Sequence, residues 1–230
     1  MIEISNLSKH FFIGEKRIDV LRELSLNIKK DKITVILGRS GCGKTTLLRL
    51  IAGLESVSLG EIKFKEQAKI GFVFQEPRLM PFLNVYENIV FPLKKHEIEA
   101  EKIGSLISMI GLSDFKFATV SQLSGGMSSR ISLARVLAYE ANLILMDEPF
   151  AALDAFTRAS MQAEILKIQA GKTILFVTHN IDEALFLADE IILLEKGGIK
   201  SNYELSNLAR PRDLLSEELI AIKRKILSEI

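Results

Sequence analysis

The chain has 230 residues, 48% of them hydrophobic, so it can bury a sizeable core as one large domain or as a core with one insertion. Its net charge of +1 gives no electrostatic case for nucleic acid or anionic lipid as a bulk partner, and its single cysteine excludes an internal disulfide. No signal-peptide pattern and no apolar stretch of membrane-spanning length is seen, so we expect a soluble, cytoplasmic protein that could still sit against a membrane protein.

The first part of the chain alternates short predicted strands with turns. Alternating polar and apolar residues predict strands at 2–5, 9–13, 24–28 and 61–65, with a turn at Gly14 and Glu15. We expect these strands to form a small antiparallel sheet.

A buried strand followed by a glycine-rich turn is the strongest feature of the chain. The apolar, β-branched run Ile33–Leu37 predicts the strand, and an amphipathic run from Thr46 to Ala52 predicts a helix. Residues 38–45 read Gly-Arg-Ser-Gly-Cys-Gly-Lys-Thr and fill the phosphate-loop pattern G-x-x-x-x-G-K-[ST]. Small residues let the backbone N–H groups curl around a phosphate, at which the helix also points its positive end. An ordinary strand–turn–helix is the alternative interpretation.

Three residues of this turn have individual predicted roles. Lys44 supplies a mobile cation for the outer phosphates, and the Thr45 hydroxyl can ligate Mg²⁺. Cys42 is expected to be a small filler of the turn, with a redox sensor as the alternative.

The character of the sequence changes after a predicted strand at 70–75. Prolines at positions 77, 81 and 92 punctuate a loop, and residues 94–102 present a charged, solvated helix face. A helix is predicted at 105–110, with Gly111 as its stop signal. We therefore expect a helical insertion that continues to residue 135.

The last part of the chain returns to buried strands. Nearly continuous apolar runs at 143–147, 173–178 and 191–194 are typical of strands covered on both faces, and helical stretches at 156–169 and 182–188 separate them. This alternation predicts an α/β fold with right-handed crossovers. A final helix at 213–230 is expected to pack on its own domain through Leu215, Leu219, Ile222 and Ile226, with partner binding as the alternative.

Polar residues follow several of the buried strands. Asp147 ends one strand and can hold Mg²⁺, and the adjacent Glu148 can orient a water for attack on a γ-phosphate, although strand-end acids often only cap the next turn. His179 and Gln75 end two further strands on the same predicted rim, where His179 could sense a γ-phosphate or simply be a hydrogen-bonded edge residue. His10 and His96 lack such a context, and we expect both at the surface.

A second anion site is predicted where Ser124, Gly125 and Gly126 precede a helical run at 128–138. The alternative is a plain helix cap with a flexible lead-in. Two anion sites in one chain suggest either two ligands or one ligand shared between subunits.

Taken together, these residues resemble the ATP-binding subunit of ABC transporters over essentially the whole chain. Residues 38–45 are similar to the Walker A motif, residues 123–127 to the signature, residues 143–147 to Walker B and residues 152–154 to the D-loop. The resemblance implies a P-loop NTPase (RecA-like) α/β core with an N-terminal antiparallel β subdomain, formed by 1–75 and 136–230, and an inserted α-helical subdomain at 76–135.

The same resemblance implies a role for each site residue. The expected catalytic residues are Glu148, the switch histidine His179, the Q-loop glutamine Gln75 and Lys44, while Thr45, Gln75 and Asp147 would hold Mg²⁺. Phe11 is the expected adenine-stacking aromatic, with Phe12 as its competitor. The remaining ATP contacts would be Gly38, Arg39, Ser40, Gly41, Cys42, Gly43, Lys44, Thr45 and Thr46, together with Ser124, Gly125 and Gly126.

A finer resemblance joins residues 74–85, 147–158 and 182–189 to the importer branch for nitrate, sulfonate and taurine, which also includes transporters for thiamine-type precursors. Ser128 and Ser129 replace the Arg-Gln pair that is usual there, which removes one cation near the signature.

The resemblance also implies partners and a location. It implies an ATP-dependent homodimer, integral-membrane permease subunits reached through the apolar loop at 77–83, and indirectly a solute-binding protein, with no nucleic acid. The expected place is the cytoplasmic side of the cell membrane, as a peripheral protein. The rival hypotheses are a non-transport ATPase that clamps nucleic acid or a ribosome, and a nucleotide-gated regulatory subunit with little turnover.

Overall fold

A computed structural model describes every residue from Met1 to Ile230. The chain divides into two compact units, of which the first comprises Met1–Ala68 and Gln169–Ile230 and the second comprises Lys69–Ile168. The predicted helical insertion at 76–135 falls within the second unit, and its boundaries as a subdomain remain a prediction.

The antiparallel sheet of the first unit has three strands in the order β2-β1-β4: β1 (Ile2–Ile13), β2 (Lys16–Ile28) and β4 (Leu59–Phe64). The sequence predicted two strands at 2–5 and 9–13, but β1 is one continuous strand. Its pairing with β2 shifts register between Ile4 and Leu7, and Asn6 adopts a positive φ of 48° at this irregularity. The irregularity absorbs the break in polar–apolar alternation that made one strand look like two.

Three parallel strands form the buried part of the first unit: β3 (Ile33–Leu37), β7 (Thr173–Thr178) and β8 (Glu190–Glu195). β3 lies between β7 and β8, and every residue of β3 and β7 is buried, as the apolar runs predicted. An additional strand, β9 (Gly198–Glu204), pairs antiparallel with β8. β9 was not predicted from the sequence, because most of its side chains are solvent-exposed and polar.

Helices α1 (Lys44–Ile51), α6 (Ile181–Leu187) and α7 (Glu217–Glu229) complete the first unit. α7 begins four residues after the predicted start at Asp213, because Asp213 Oδ1 instead accepts a hydrogen bond from the Leu215 amide at 2.9 Å and forms a turn. Leu215 is therefore 81% exposed, whereas the other predicted residues of the apolar face lie in α7, with Leu219 and Ile226 buried and Ile222 half-buried.

The second unit contains the parallel pair β5 (Ile70–Val73) and β6 (Leu143–Asp147), with helices α2 (Val85–Val90), α3 (Ala100–Met109), α4 (Gly125–Ala138) and α5 (Ala155–Ile168). α2 and α3 both pack against α4. A capping box starts α2, in which Asn84 accepts from the Glu87 amide and Glu87 accepts from the Asn84 amide, each at 2.9 Å.

The two units together confirm the predicted α/β class with a separate antiparallel sheet. None of the seven helices combines the length and apolar character that a membrane crossing requires.

Candidate nucleotide site

The phosphate loop follows β3, and two of its three glycines could not be replaced without displacing neighbours. A Cβ on Gly38 would lie 2.4 Å from the Leu194 carbonyl oxygen, and a Cβ on Gly43 would lie 2.7 Å from Leu21 Cδ2. Gly43 also has a φ of 106°, which side-chain-bearing residues rarely adopt. At Gly38 and Gly43 the loop is therefore closely packed against the rest of the first unit, which holds its backbone in place without a ligand.

Lys44 begins α1 with its side chain curled back into this loop. The side chain is buried, and Nζ donates hydrogen bonds to the carbonyl oxygens of Gly38 at 2.7 Å and Arg39 at 2.9 Å. A cation is thus held where the loop wraps, which fits the loop to the outer phosphates of a nucleotide.

Cys42 lies inside the loop as a packing residue. Its side chain is buried, and its Sγ would be 2.8 Å from a Cβ added to Gly38. Burial raises the pKa of the Cys42 thiol, which keeps the thiol protonated and weakly reactive at neutral pH. These observations agree with the predicted filler role.

Phe11 and Phe12 sit at adjacent positions of β1 and so face opposite sides of the sheet. Phe11 is half-buried, and the Lys9 ammonium lies 4.6 Å from its ring centroid. Phe12 is 64% exposed, and its ring packs edge-to-face against the His10 ring with 5.4 Å between the ring centroids. His10 is accordingly not the simple surface residue that we expected: it is half-buried, and its Nδ1 is buried without a hydrogen-bond partner. His96 is exposed, as expected.

His179 leaves the parallel strands at the same edge as the phosphate loop. Leu37, the last residue of β3, pairs with Thr178, the last residue of β7. Gly38 and His179 therefore follow neighbouring strands at the same level, and the His179 side chain is exposed. Within the first unit, the structure brings together two of the predicted site elements.

The second unit repeats this arrangement with different residues. Val73 at the end of β5 pairs with Met146, so Gln75 and the carboxylates Asp147 and Glu148 follow neighbouring strands at one edge. Asp147 is buried and Gln75 is exposed.

Glu148 has a φ of 45°, in the left-handed region that residues with a side chain rarely occupy. Such backbone strain costs on the order of 1 kcal/mol and clusters at functional sites, where it aims a side chain. Nothing in the sequence predicted this backbone conformation.

The predicted second anion site lies open at the start of α4. Ser124 is the helix N-cap, with its Oγ accepting from the Met127 amide at 3.2 Å. The nearest atom to a Cβ on Gly125 would be Ala152 Cβ at 3.9 Å, and on Gly126 it would be Leu153 Cδ2 at 3.2 Å. Ser124 and Gly125 are exposed, so backbone amides at the positive end of a helix face solvent.

Ser129, which replaces a usual glutamine, has a local structural role. It is buried, and its hydroxyl donates to the Gly125 carbonyl at 3.1 Å within α4. The substitution therefore leaves the start of α4 internally hydrogen-bonded.

Two polar residues that organise the loop after Gln75 were not predicted from the sequence. Arg135 on α4 donates to the carbonyls of Pro77 at 3.0 Å and Arg78 at 3.2 Å, and burial lowers the pKa of its guanidinium. Asn88 is fully buried; its amide donates to the carbonyls of Met80, Leu83 and Asn84, and its Oδ1 accepts from the Met80 amide. A lone asparagine in the apolar run 85–91 was the available signal for Asn88, whereas nothing distinguished Arg135.

The strand, phosphate loop and helix at residues 33–51 define a P-loop nucleotide-binding protein of the α/β class. The sequence model of the ABC transporter family matches residues 21–151, which is more than half of the chain. The chain belongs to the ABC transporter family as an ATP-binding subunit, and it is an ATPase of that family. This confirms the resemblance inferred from the motifs, including the P-loop NTPase fold.

Individual relatives align along nearly the whole chain. It is 41% identical to the uncharacterized ABC transporter ATP-binding protein MJ0412 of Methanocaldococcus jannaschii, over 99% of this chain and 90% of that protein. It is 38% identical to the aliphatic sulfonates import ATP-binding protein SsuB of Bacillus cereus, over 99% of this chain and 95% of that protein. It is also 38% identical to the spermidine/putrescine import ATP-binding protein PotA of Bacteroides fragilis, of which it covers 51%.

Among solved structures, the fold is similar to the ATP-binding cassette MJ0796 in a dimeric post-hydrolysis state bound to ADP and Pi. The TM-score is 0.83 at 32% sequence identity, with 89% of this chain and 99% of that chain covered.

Proposed function

We propose that this ATPase works as a homodimer and energises the import of a small solute of the sulfonate, taurine, nitrate or thiamine-precursor type. The observation that carries the proposal is that one chain contains both a closed phosphate loop, in the first unit, and an open helix start suited to an anion, in the second. The importer-type segments at 74–85, 147–158 and 182–189 and the sulfonate-import relatives support the solute class.

Each predicted site residue has a role in this proposal. Gly38–Thr46 wraps the phosphates of ATP, and Phe11 stacks on the adenine. Thr45 through its hydroxyl, Asp147 through its carboxylate and Gln75 through its amide oxygen would each offer the kind of oxygen ligand that Mg²⁺ prefers, and the ion would neutralise phosphate charge. Glu148 positions the attacking water, and His179 contacts the γ-phosphate.

In the homodimer, Ser124–Gly126 of one copy contacts the ATP held by the other copy. The exposure of Ser124 and Gly125 supports the idea, because a helix start that faces solvent is available to an anion from outside its own chain. Closure would then depend on the nucleotide, and hydrolysis would release the two copies by removing the bridging charge. The dimeric structures of the similar cassette MJ0796 support a dimer for this chain.

The loop that follows Gln75 is our proposed contact with permease subunits on the cytoplasmic side of the membrane. Phe82 is 76% exposed at its tip, while Asn88 and Arg135 hold the loop through its carbonyl groups. A large apolar side chain on a fixed loop suits a groove or helix of a partner. The permease in turn would receive its solute from a binding protein.

Reconstitution tests the proposal directly. The chain is assembled in lipid vesicles with the permease and solute-binding protein encoded beside it, and ATP hydrolysis is followed with taurine, an alkanesulfonate, nitrate, a thiamine precursor or spermidine. We expect stimulation by one of the first four, and we expect Phe82→Asp to remove it while Leu215→Asp, at a comparably exposed apolar residue of the other unit, keeps it. Stimulation by spermidine alone would contradict the solute class, and an unaffected Phe82→Asp would contradict the contact.

A further inference from the structure

The turn that carries His179 is closed by hydrogen bonds on both sides of the histidine. Thr178, which precedes it, donates its hydroxyl to Glu183 Oε2 at 2.6 Å. The same hydroxyl oxygen accepts from the backbone N–H of Asn180, which follows it, at 3.0 Å. The hydroxyl of Thr178 thus bridges across His179 while its own orientation is fixed by Glu183.

The carboxylate of Glu183 lies in an unusual place for a charged group. Glu183 is only 6% exposed, and burying a carboxylate is costly unless charge-assisted hydrogen bonds and nearby dipoles compensate for the loss of water. It occupies the first turn of α6, where the positive end of the helix favours an anion.

Capping of α6 does not require the bond between Thr178 and Glu183. Asn180 is the N-cap, and its Oδ1 already accepts from the amides of Asp182 at 2.9 Å and Glu183 at 3.3 Å. The bond from Thr178 to Glu183 instead connects the end of β7 to the start of α6. Between these two elements, His179 is the one exposed residue.

We propose that Thr178 and Glu183 form a positioning pair that sets the direction in which His179 leaves the edge of the strands beside the phosphate loop. The proposal rests on the proposed contact of His179 with the γ-phosphate. Both residues act through His179 and neither touches the nucleotide. A displacement of about 1 Å of a group that positions the reacting atoms can lower the rate on the order of 100-fold.

The test uses a matched set of threonine variants in the purified full chain. Thr178→Val removes the bridging hydroxyl without changing the side-chain shape, and Thr178→Ser keeps the hydroxyl. Thr173→Val is the control: Thr173 is buried at the opposite end of β7, and its hydroxyl also accepts from a backbone amide, that of Asp31 at 3.0 Å.

We expect Thr178→Val to lower kcat for ATP by about 10- to 100-fold with an unchanged KM and an unchanged affinity for a fluorescent ATP analogue. Thr178→Ser and Thr173→Val should stay within about threefold of the parent chain. Equal losses in Thr178→Val and Thr173→Val would overturn the proposal, because they would show a general effect of cutting hydrogen bonds of β7.

A combination with His179→Ala separates positioning from structure. If Thr178 acts through His179, Thr178→Val adds nothing to His179→Ala, and Glu183→Gln, which keeps an oxygen acceptor, stays closer to the parent than Glu183→Ala. An additional loss of the same size in the His179→Ala background would contradict the proposal. Full activity of His179→Ala alone would instead contradict the proposed function, so the two failures are distinguishable.

Discussion

The two proposed anion sites of this chain rely on the same helix-start chemistry but are built in opposite ways. In the phosphate loop, a Cβ on Gly38 or Gly43 would collide with the surrounding chain, and the Lys44 ammonium is held by loop carbonyls. At the start of α4, a Cβ on Gly125 would have no neighbour closer than 3.9 Å, and the helix amides face solvent. The phosphate loop is enclosed by residues of its own unit, whereas the start of α4 presents only one wall.

Under the proposed function, this difference would make nucleotide binding and dimer formation separate steps. A closed, preformed loop binds phosphate at low reorganisation cost, so we expect the single chain to hold ATP. An exposed helix start adds little alone, because water competes for its amides, but in our proposal it completes a site when a second copy brings a bound nucleotide. The predictions below probe the closed site and the open site with matched changes.

The largest effect is expected for Lys44→Ala. A hydrogen bond to a charged group contributes about 1.5–3 kcal/mol, so losing the contacts of Lys44 with phosphate should weaken ATP binding by roughly 100-fold. Dimer formation should disappear with it. Isothermal titration of ATP into the variant measures this, with Lys63→Ala, an exposed lysine of the antiparallel sheet, as the control. Binding within threefold of the parent chain would contradict the role of Lys44.

The second prediction compares the same substitution in both sites. Gly43→Ala should lower ATP affinity of the single chain severely, because an added Cβ meets Leu21 and the φ of 106° disfavours a side chain by about 1–2 kcal/mol. Gly125→Ala should leave that affinity unchanged, because the added methyl group has space. Titration of both variants with a fluorescent ATP analogue checks the contrast, and equal losses would show that the two sites are not built differently.

The smallest effect concerns thiol reactivity. Because burial raises the pKa of Cys42, its thiolate fraction at neutral pH is lower than in the unfolded chain, and alkylation by iodoacetamide should be at least about tenfold slower in the folded state. A Cys42→Ala, Ser124→Cys chain should instead be alkylated rapidly, since position 124 is exposed. Mass spectrometry over time measures both rates. Similar rates in the two folded chains would contradict the closed-versus-open distinction.

The sequence predicted the parts of this molecule that depend on local chemistry. The glycine pattern of residues 38–45 follows from steric requirements that any phosphate loop shares. Buried parallel strands such as Leu143–Asp147 and Thr173–Thr178 are recognisable from their nearly continuous apolar residues. The polar residues placed at strand ends followed from the geometry of parallel strands alone.

Features that depend on distant pairing could not be predicted in the same way. The hydrogen bonds of Arg135 reach Arg78 and Pro77, which lie 57 and 58 positions away in the sequence. The positive φ at Glu148 likewise leaves no mark in the local composition. β1 was divided because a bulge interrupts its alternation, and β9 was overlooked because its stability comes from pairing with β8 rather than from its own apolar residues.

The most direct test of the account is the light-scattering mass of Glu148→Gln chains in ATP, with and without Ser124→Asp. Glu148→Gln should bind ATP without turnover and accumulate as a species of twice the 25.7 kDa chain mass. Aspartate is an equally good helix N-cap, so Ser124→Asp preserves α4 while placing a negative charge where the second copy's phosphate would approach. We predict a single-chain mass and unchanged ATP binding for the double variant; a mass still doubled by ATP would contradict the claim that the open site of one copy completes the closed site of the other.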